Sequence, residues 1–400
     1  MALKVHEFKY INPAQRILMG PGPVEVPPRV LQAMSAPCVG HLDPYFLQVM
    51  DETQRQLRFL FQTENALTIP VSGTGTAGME ACLVNMLEPG DEAVICVHGV
   101  FGARMTEMVE RLGAKLIRVD REWGRATDPE AVRKAVKGRH PKLIAVVHGE
   151  TSTGVCQPLK DLKAIAAEAG ALFMVDTVSS LGGVDIALDR DGIDVCYSGS
   201  QKCISCPPGL APLSFNEKAM AVLRNRKTPV LSWYLDMSMV QNYWGPERKY
   251  HHTAPVNMIY ALRESLRIIV EEGLEPRFAR HKLNHKALVA GIEAMGLGML
   301  VPEPERLPTL NAVKIPDGIE DLKVRKALLE EFGIEVGGGL GALAGKVWRV
   351  GLMGHSSTKR NVFMFLAALG TILKSMGFKV KPGALDAAEA VYANAAPTGK

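Results

Sequence analysis

An aspartate and a lysine in the middle of the chain could carry out carbonyl chemistry together. Asp176 ends the apolar run 172–175, and Lys202 closes the small polar segment 198–202. A carboxylate within ~4–6 Å of a cationic nitrogen keeps that nitrogen charged. A lysine that is desolvated, or close to other positive charge, has a lowered pKa and attacks carbonyl carbons. The pair alone is weak evidence, but small polar residues flank both positions and a glycine-rich segment lies upstream, and together these features indicate a ligand that carries both a basic ring nitrogen and an aldehyde.

A glycine-rich segment upstream adds a site for an anion. Residues 72–78 are Ser-Gly-Thr-Gly-Thr-Ala-Gly, between a predicted strand at 66–71 and a helix predicted from Met79 to Leu87. Main-chain N–H groups at the start of a helix attract phosphate, and the threonine hydroxyls add donors. The segment is neither a Walker loop nor a complete dinucleotide fingerprint. Combined with Asp176 and Lys202 it favours pyridoxal 5′-phosphate; alone it would also suit a protein that only binds a nucleotide or phosphate.

The elements that must position these residues alternate between strand and helix. Predicted strands cover residues 93–97, 115–119, 143–147, 172–175 and 193–197. Helical stretches between them cover residues 101–111, 129–136 and 162–169. This alternation predicts an α/β fold with a mainly parallel sheet flanked by helices, and ligands bind at the carboxyl ends of such strands.

The length of the chain predicts more than one lobe, because 400 residues exceed the size of a single hydrophobic core. A long helix with apolar residues between 258 and 270, ended by Gly273, would lead out of the first lobe. We therefore predict an N-terminal arm (1–21), a large cofactor-binding domain (22–273), a smaller α/β C-terminal domain (274–383) and a tail (384–400). The elements expected in the smaller domain are a helix to 295, strands at 311–315, near 334 and at 347–350, and helices at 322–332 and 362–376.

The composition is that of a globular protein, with 47% hydrophobic and 22% charged residues. The net charge of +4 comes without a basic block, so no nucleic-acid partner is expected. The first residues lack an apolar leader, and no apolar run approaches the ~18 residues of a membrane span, so we expect a cytoplasmic protein without a membrane partner. Seven cysteines, mostly in apolar segments, indicate reduced thiols. Cys203 and Cys206 lack a second ligand pair, so we expect small packed residues there and no metal.

Several motifs, taken in order, resemble the class V, fold-type-I pyridoxal-phosphate-dependent aminotransferases, in the alanine–glyoxylate and serine–glyoxylate (or pyruvate) branch. They are Ser-Gly-Thr-Gly-Thr (72–76), His-Gly-Glu-Thr-Ser-Thr-Gly (148–154), Val-Asp (175–176), Ser-Gly-Ser-Gln-Lys (198–202), Tyr-His-His-Thr (250–253) and Gly-Lys-Val-Trp-Arg-Val-Gly (345–351). The resemblance extends from residue 18 to residue 380.

The resemblance implies a role for each matching position. Lys202 would form the Schiff base with the cofactor and later move a proton between the substrate Cα and the cofactor, while Asp176 would pair with the ring nitrogen. Phe101 would stack on the ring, and Thr151 would donate to its phenolate oxygen. The phosphate-binding positions would be Thr74, Gly75, Thr76 and Gln201.

The resemblance also implies substrate and subunit contacts. Arg349 would clamp the substrate carboxylate with its planar fork of donors. The other substrate-binding positions would be Gly22, His41 and Thr151. Tyr250 and Thr253 would reach the phosphate of a neighbouring subunit, so the enzyme would be a homodimer with shared active sites.

The substrate stays open between two branches of this family. Segments 22–26, 39–44 and 149–154 look more like the ureidoglycine–glyoxylate aminotransferases. That branch is expected to carry glutamine and asparagine where this chain has His41 and Tyr250. We therefore predict alanine or serine as the amino donor and glyoxylate or pyruvate as the acceptor, with ureidoglycine–glyoxylate transamination as the alternative.

Two further features bear on the assignment. Phe101 stands where the best-known alanine–glyoxylate members have tryptophan, which concerns cofactor affinity and not reaction type. A pyridoxal-dependent lyase such as a cysteine desulfurase is a remoter alternative. Such an enzyme needs a reactive cysteine in the smaller lobe, and all seven cysteines of this chain lie at or before Cys206.

Overall fold

The computed structural model describes residues 10–395. The predicted arm and tail therefore lie partly outside the described residues, at 1–9 and 396–400. The strands are β1 (Ile17–Leu18), β2 (Leu67–Ser72), β3 (Glu92–Val97), β4 (Lys115–Asp120), β5 (Leu143–Val147), β6 (Gly149–Glu150), β7 (Val155–Cys156), β8 (Leu172–Asp176), β9 (Val195–Tyr197), β10 (Leu210–Phe215), β11 (Leu310–Lys314), β12 (Ile334–Glu335), β13 (Gly337–Gly338) and β14 (Val347–Gly351).

The α-helices form most of the regular secondary structure. They are α1 (Pro28–Met34), α2 (Pro44–Phe61), α3 (Gly75–Met86), α4 (Val100–Arg111), α5 (Pro129–Val136), α6 (Lys160–Glu168), α7 (Leu188–Asp191), α8 (Glu217–Arg224), α9 (Met237–Trp244), α10 (Val256–Glu272), α11 (Leu274–Ala294), α12 (Asp321–Glu331), α13 (Lys359–Ser375) and α14 (Ala384–Ala393). Short 3-10 helices cover Glu303–Glu305, Gly341–Leu343 and Gly354–Ser356. No helix between residues 10 and 395 has the length and apolar content needed to cross a bilayer.

A seven-stranded sheet forms the centre of the larger lobe, in the order β2-β10-β9-β8-β5-β3-β4. The pairs from β9 to β4 are parallel, whereas β10 is antiparallel to both β2 and β9. Every residue of β5 and β8 is buried, because helices cover both faces of a parallel sheet. The arrangement confirms the predicted α/β fold with a mainly parallel sheet.

The antiparallel strand β10 is the strand of the seven-stranded sheet that sequence patterns did not predict. Its sequence is Leu-Ala-Pro-Leu-Ser-Phe, with Pro212 in the middle and no β-branched residue. Proline is normally confined to strand edges and bulges, so such a segment does not resemble an internal strand. Here β10 lies second in the sheet and all of its residues are buried.

The smaller lobe has its own core around the antiparallel sheet β11-β14-β13, and Trp348 and Phe365 are completely packed within it. Strand β1 pairs in parallel with β12, and Met19 belongs to the same core, so this part of the predicted arm packs on the smaller lobe. Helix α14 lies in the predicted tail, and Tyr392 on it donates to Asn284 Oδ1 at 2.7 Å. The domain boundaries themselves stay a prediction.

Candidate active site

A cavity of about 250 Å³ lies at the carboxyl ends of β5 and β8 and at the start of α3. Ligand residues gather there because the ends of parallel strands meet at one edge of the sheet. The predicted residues that line the cavity are Thr74, Gly75, Thr76, Phe101, Thr151, Asp176, Gln201 and Lys202. Segments far apart in sequence are thus brought to a single site.

Asp176 ends β8 and is 2% exposed. One oxygen accepts from the Val178 N–H at 2.8 Å, and the other accepts from the Tyr197 hydroxyl. Burial raises the pKa of Asp176 to about 7, although both hydrogen bonds act in the opposite direction. A cation placed beside this carboxyl would therefore bring it into its charged form.

Lys202 lies opposite, 8% exposed, and its Nζ donates to the Pro21 carbonyl. Burial, together with the nearby charge of Arg349, lowers the pKa of the amine to about 8. Cys203 and Asp176 act in the opposite direction and raise this pKa. A pKa of this value leaves about a tenth of the amine neutral and nucleophilic at pH 7. Lys202 and Asp176 both line the cavity, and no ion pair joins them in the described part of the chain.

Gly22 allows Lys202 to occupy this position. A Cβ atom added to Gly22 would lie 2.6 Å from Lys202 Cδ and 2.7 Å from Nζ, and the residue has a φ of +99°. The backbone conformation would be strained with any side chain at this position, and an added Cβ would force the lysine side chain to move. Gly22, predicted as a substrate-binding position, thus lies against the lysine side chain.

The anion end of the cavity is built on α3. The helix begins at Gly75 with Thr74 as its N-cap, so the predicted start at Met79 was four residues too late. No side chain caps the first turn, which leaves its N–H groups available for an anion. Gln201 Oε1 is buried nearby without a hydrogen-bond partner in the described chain. Gly78 in the first turn permits close packing, since an added Cβ would lie 2.9 Å from Ala211 Cβ.

Arg104 adds a positive charge to this end of the cavity. Its Nη1 donates to Thr76 Oγ1 at 3.2 Å, and its guanidinium carbon lies 4.8 Å from the centre of the Phe101 ring. Arg104 lies one turn after Phe101 on α4, so its cation rests on the face of that ring. Through these two contacts Arg104 links Phe101 to the start of α3.

Glu150 fixes the start of α4 from behind the cavity. Its buried carboxylate accepts from the N–H of Phe101 at 3.1 Å and from the N–H and hydroxyl of Ser152 at 3.0 and 2.6 Å. Burial raises the pKa of Glu150, and these hydrogen bonds counteract the rise. Gly99 makes room for the carboxylate, because a side chain there would overlap it. Glu150 therefore anchors the backbone of Phe101, and this sets the position from which the Phe101 ring extends.

Arg349, on β14, reaches the site from the smaller lobe and is 7% exposed. Its Nε donates to Gly338 O at 2.7 Å and its Nη1 to Thr151 O at 3.3 Å. Nη2 has no hydrogen-bond partner among residues 10–395. Burial lowers the pKa of the guanidinium, and Glu150 raises it. The oriented side chain can present its free donors to a carboxylate.

His41, Tyr250 and Thr253 lie elsewhere, in a group at the surface that does not line this cavity. The rings of His41 and Tyr250 are 5.1 Å apart between centroids, and Tyr250 Oη is 3.4 Å from Thr253 Oγ1. Tyr250 is 56% exposed. Their predicted roles toward substrate and toward a second subunit stay predictions.

Three functional candidates were missed from sequence: Tyr197, Arg104 and Glu150. Tyr197 could have been found, because the parallel strands β8 and β9 place Asp176 and Tyr197 side by side in register. Arg104 follows Phe101 at helical spacing, which also predicts contact. Glu150 gave no such signal, since its partner Phe101 lies far away in the chain.

Comparison with known proteins identifies aminotransferases as relatives of this chain. The family described as aminotransferase class-V matches residues 18–363. The crystal structure of ureidoglycine–glyoxylate aminotransferase from Bacillus subtilis is 44% identical, with a TM-score of 0.94 over 96% of this chain and 100% of that one. That of alanine–glyoxylate aminotransferase from Nostoc sp. is 48% identical, with a TM-score of 0.91 over 93% and 100%. Alanine–glyoxylate aminotransferase of Oryctolagus cuniculus is 41% identical over 90% of this chain and 93% of its own.

Proposed function

Since this chain belongs to the class-V aminotransferases, we propose that it transfers the amino group of alanine or serine to glyoxylate or pyruvate, with pyridoxal 5′-phosphate as cofactor. The observation that carries the proposal is the pair formed by Lys202 and Asp176. Both are buried in one cavity, and the lysine pKa is lowered to about 8 while the aspartate pKa is raised to about 7. The neutral form of such a lysine attacks an aldehyde, and such an aspartate becomes charged beside a cation. The pair therefore matches a ligand that carries both an aldehyde and a basic ring nitrogen.

The donors at the other end of the cavity fit the phosphate of that cofactor. The N–H groups of the uncapped first turn of α3 and the hydroxyls of Thr74 and Thr76 would hold it, and Gln201 would donate to it through its side-chain amide nitrogen. Arg104 supplies further positive charge there. Bound pyridoxal phosphate supplies an electron sink for a carbanion at the substrate Cα.

The residues of this chain would supply position and proton transfer. Asp176 holds a proton on the ring nitrogen, because its own carboxyl is easily ionised beside a cation. Phe101 packs on the ring, a contact of about 1 kcal/mol. Thr151 donates to the phenolate oxygen. Lys202 would hold the cofactor through its aldehyde carbon, with the aldehyde oxygen leaving as water, and as a free amine would move the proton at the substrate Cα.

Arg349 would bind the substrate carboxylate, because two backbone carbonyls orient its guanidinium and leave donors free. The comparisons are compatible with both branches of the family. We favour a small amino acid as donor, since His41 and Tyr250 replace the amide side chains expected for a ureido group. The similarity to the Bacillus subtilis enzyme keeps ureidoglycine as the alternative donor.

A competition between donors tests this proposal. Purified protein with pyridoxal phosphate and glyoxylate is given ¹⁵N-labelled alanine, serine or ureidoglycine, and labelled glycine is measured by mass spectrometry. We expect alanine or serine to give the highest kcat/KM, and Lys202→Ala to give no glycine. Faster transfer from ureidoglycine would establish the alternative, and glycine formation by Lys202→Ala would contradict the role of the lysine.

We also propose a homodimer in which Tyr250 and Thr253 of one subunit reach the phosphate of the other. Exposed apolar side chains support a contact surface, with Leu231 61% and Trp233 62% exposed. The test mixes Lys202→Ala and Tyr250→Ala subunits, because each hybrid dimer would regain one complete site. Random 1:1 mixing should restore about a quarter of wild-type activity. No gain over the separate variants would contradict shared sites.

A cytoplasmic location is proposed as well. All seven cysteines are free, as expected in a reducing compartment. Cell fractionation would test this, and recovery with an extracytoplasmic fraction would contradict it.

A further inference from the structure

A partly buried ion cluster lies where α10 ends and α11 begins. Only Gly273 separates the two helices, and the cluster consists of Glu272, Arg277 and Arg280. Glu272 bonds to both arginines, with Oε1 accepting from Arg280 Nε at 2.6 Å and Oε2 from Arg277 Nη1. These residues do not line the cofactor cavity.

Arg277 binds two loops of the larger lobe. The residue is 3% exposed. Its Nε donates to Gly182 O at 2.8 Å, and its Nη2 donates to Cys203 O. Gly182 lies in the loop that follows Asp176, and Cys203 is the residue after Lys202. The guanidinium of Arg277 therefore binds both the loop that follows Asp176 and the loop that follows Lys202.

Arg280 binds the loop that follows Arg349 in the smaller lobe. Its Nη1 donates to Gly354 O at 3.1 Å and to Ser357 O at 2.6 Å. The same loop touches the lysine loop directly, because the His355 N–H donates to Ser205 Oγ at 2.8 Å. The loop after the proposed carboxylate clamp is thus fixed to the same cluster.

We propose that Glu272, Arg277 and Arg280 are positioning residues that hold the loops after Asp176, Lys202 and Arg349 in mutual register. The proposal rests on the function proposed above and specifies how its site is assembled. Arg277 donates to main-chain carbonyls of two loops and Arg280 to two carbonyls of a third loop, and the shared carboxylate of Glu272 keeps the two guanidinium groups in a fixed relation. A shift at one loop therefore moves the others, and a misplacement of 1 Å can cost about 100-fold in rate.

Amide hydrogen exchange of the cofactor-free protein tests the coupling directly. Glu272→Gln and Arg277→Gln should raise exchange together in residues 181–184, 203–206 and 354–358. The matched control is Arg29→Gln, which breaks ion pairs to Glu264 and Glu271 on the same helix α10 but touches none of these loops. Faster exchange in only one loop, or equal changes in the control, would overturn the proposal.

A second measurement separates positioning from stability in the cofactor-loaded protein. We expect the visible circular dichroism per bound pyridoxal phosphate to weaken and kcat to fall about 10- to 100-fold in Glu272→Gln at temperatures where it is fully folded. Unchanged dichroism with kcat within twofold of wild type would overturn the proposal. Glu272→Gln keeps one acceptor and its shape, so it decides the outcome if Arg277→Gln does not fold. Absence of transamination by the wild type would refute the function alone, since the exchange experiment needs no activity.

Discussion

Replacing Tyr197 by phenylalanine should make Asp176 harder to ionise. The hydroxyl of Tyr197 donates to one carboxylate oxygen of Asp176, and among the described residues the other oxygen has only the Val178 N–H. Phenylalanine keeps the buried ring and removes only this donor. The variant therefore isolates one hydrogen bond to a charged group inside the cavity.

The size of the effect follows from the energy of that bond. A hydrogen bond to a charged group contributes about 1.5–3 kcal/mol, and 1.36 kcal/mol corresponds to one pKa unit. The pKa of Asp176, about 7 in the wild type, should therefore rise by ~1–2. At pH 7.5 roughly three quarters of wild-type Asp176 is ionised, against about 3–25% in the variant. If only the ionised carboxyl accepts the ring cation, cofactor affinity falls about 3- to 25-fold.

The assay is a fluorescence titration of the cofactor-free protein with pyridoxal phosphate between pH 6.5 and 9.5. The ratio of dissociation constants, variant over wild type, should be largest at pH 6.5 and shrink steadily toward pH 9.5, where both carboxyls are mostly ionised. Asp176→Asn serves as control, because it removes the titrating group. Equal affinities at pH 7.5, or a ratio that does not change with pH, would refute the reasoning.

Further predictions concern other residues of the site. Gly22→Ala should displace Lys202 and lower kcat by about 100-fold. Gly20→Ala should leave kcat near wild type, because the atom nearest to its added Cβ would be 3.8 Å away. Equal losses of kcat in the two variants would contradict this. Arg349→Lys should raise the KM for the amino acid about 10- to 100-fold, through the loss of charged hydrogen bonds, and an unchanged KM in steady-state kinetics would exclude the clamp. The pKa of Asp176 is raised from 3.8 to about 7 by folding, so the folded chain holds this proton more tightly and stability falls as pH rises from 4 to 7. The free energy of unfolding of the cofactor-free wild type should therefore drop relative to Asp176→Asn by at most about 4 kcal/mol over this window, and a constant difference in urea unfolding at pH 4.5 and 7.5 would contradict the pKa.

Strands β3, β5, β8 and β9 of the large sheet were predictable because each is almost entirely buried and consists mainly of a short continuous apolar run. β5 was predicted with its observed limits, and β8 and β9 within two residues. Ligand residues follow directly from such strands, since the strand end determines where the side chain emerges. Asp176 could therefore be placed in the fold without knowing any contact.

Other parts of the fold had no local signal. β10 contains Pro212, yet it is an internal strand that pairs with β2 and β9. Helix α3 begins inside the glycine-rich segment, where Gly78 packs closely on Ala211. The pairing of β1 with β12 joins segments at opposite ends of the chain. Local periodicity carries no information about such contacts.

Residue types and their spacing were enough to identify the available chemical groups: the lysine amine, the aspartate, the glycine-rich segment and the arginine of the smaller lobe. The tertiary structure alone decided their properties and their register. Burial, which no motif reveals, moved the pKa values of Asp176 and Lys202 toward neutrality. The contacts of Tyr197, Glu150 and Arg277 join segments distant in sequence, because packing depends on the whole fold whereas residue type and spacing are local.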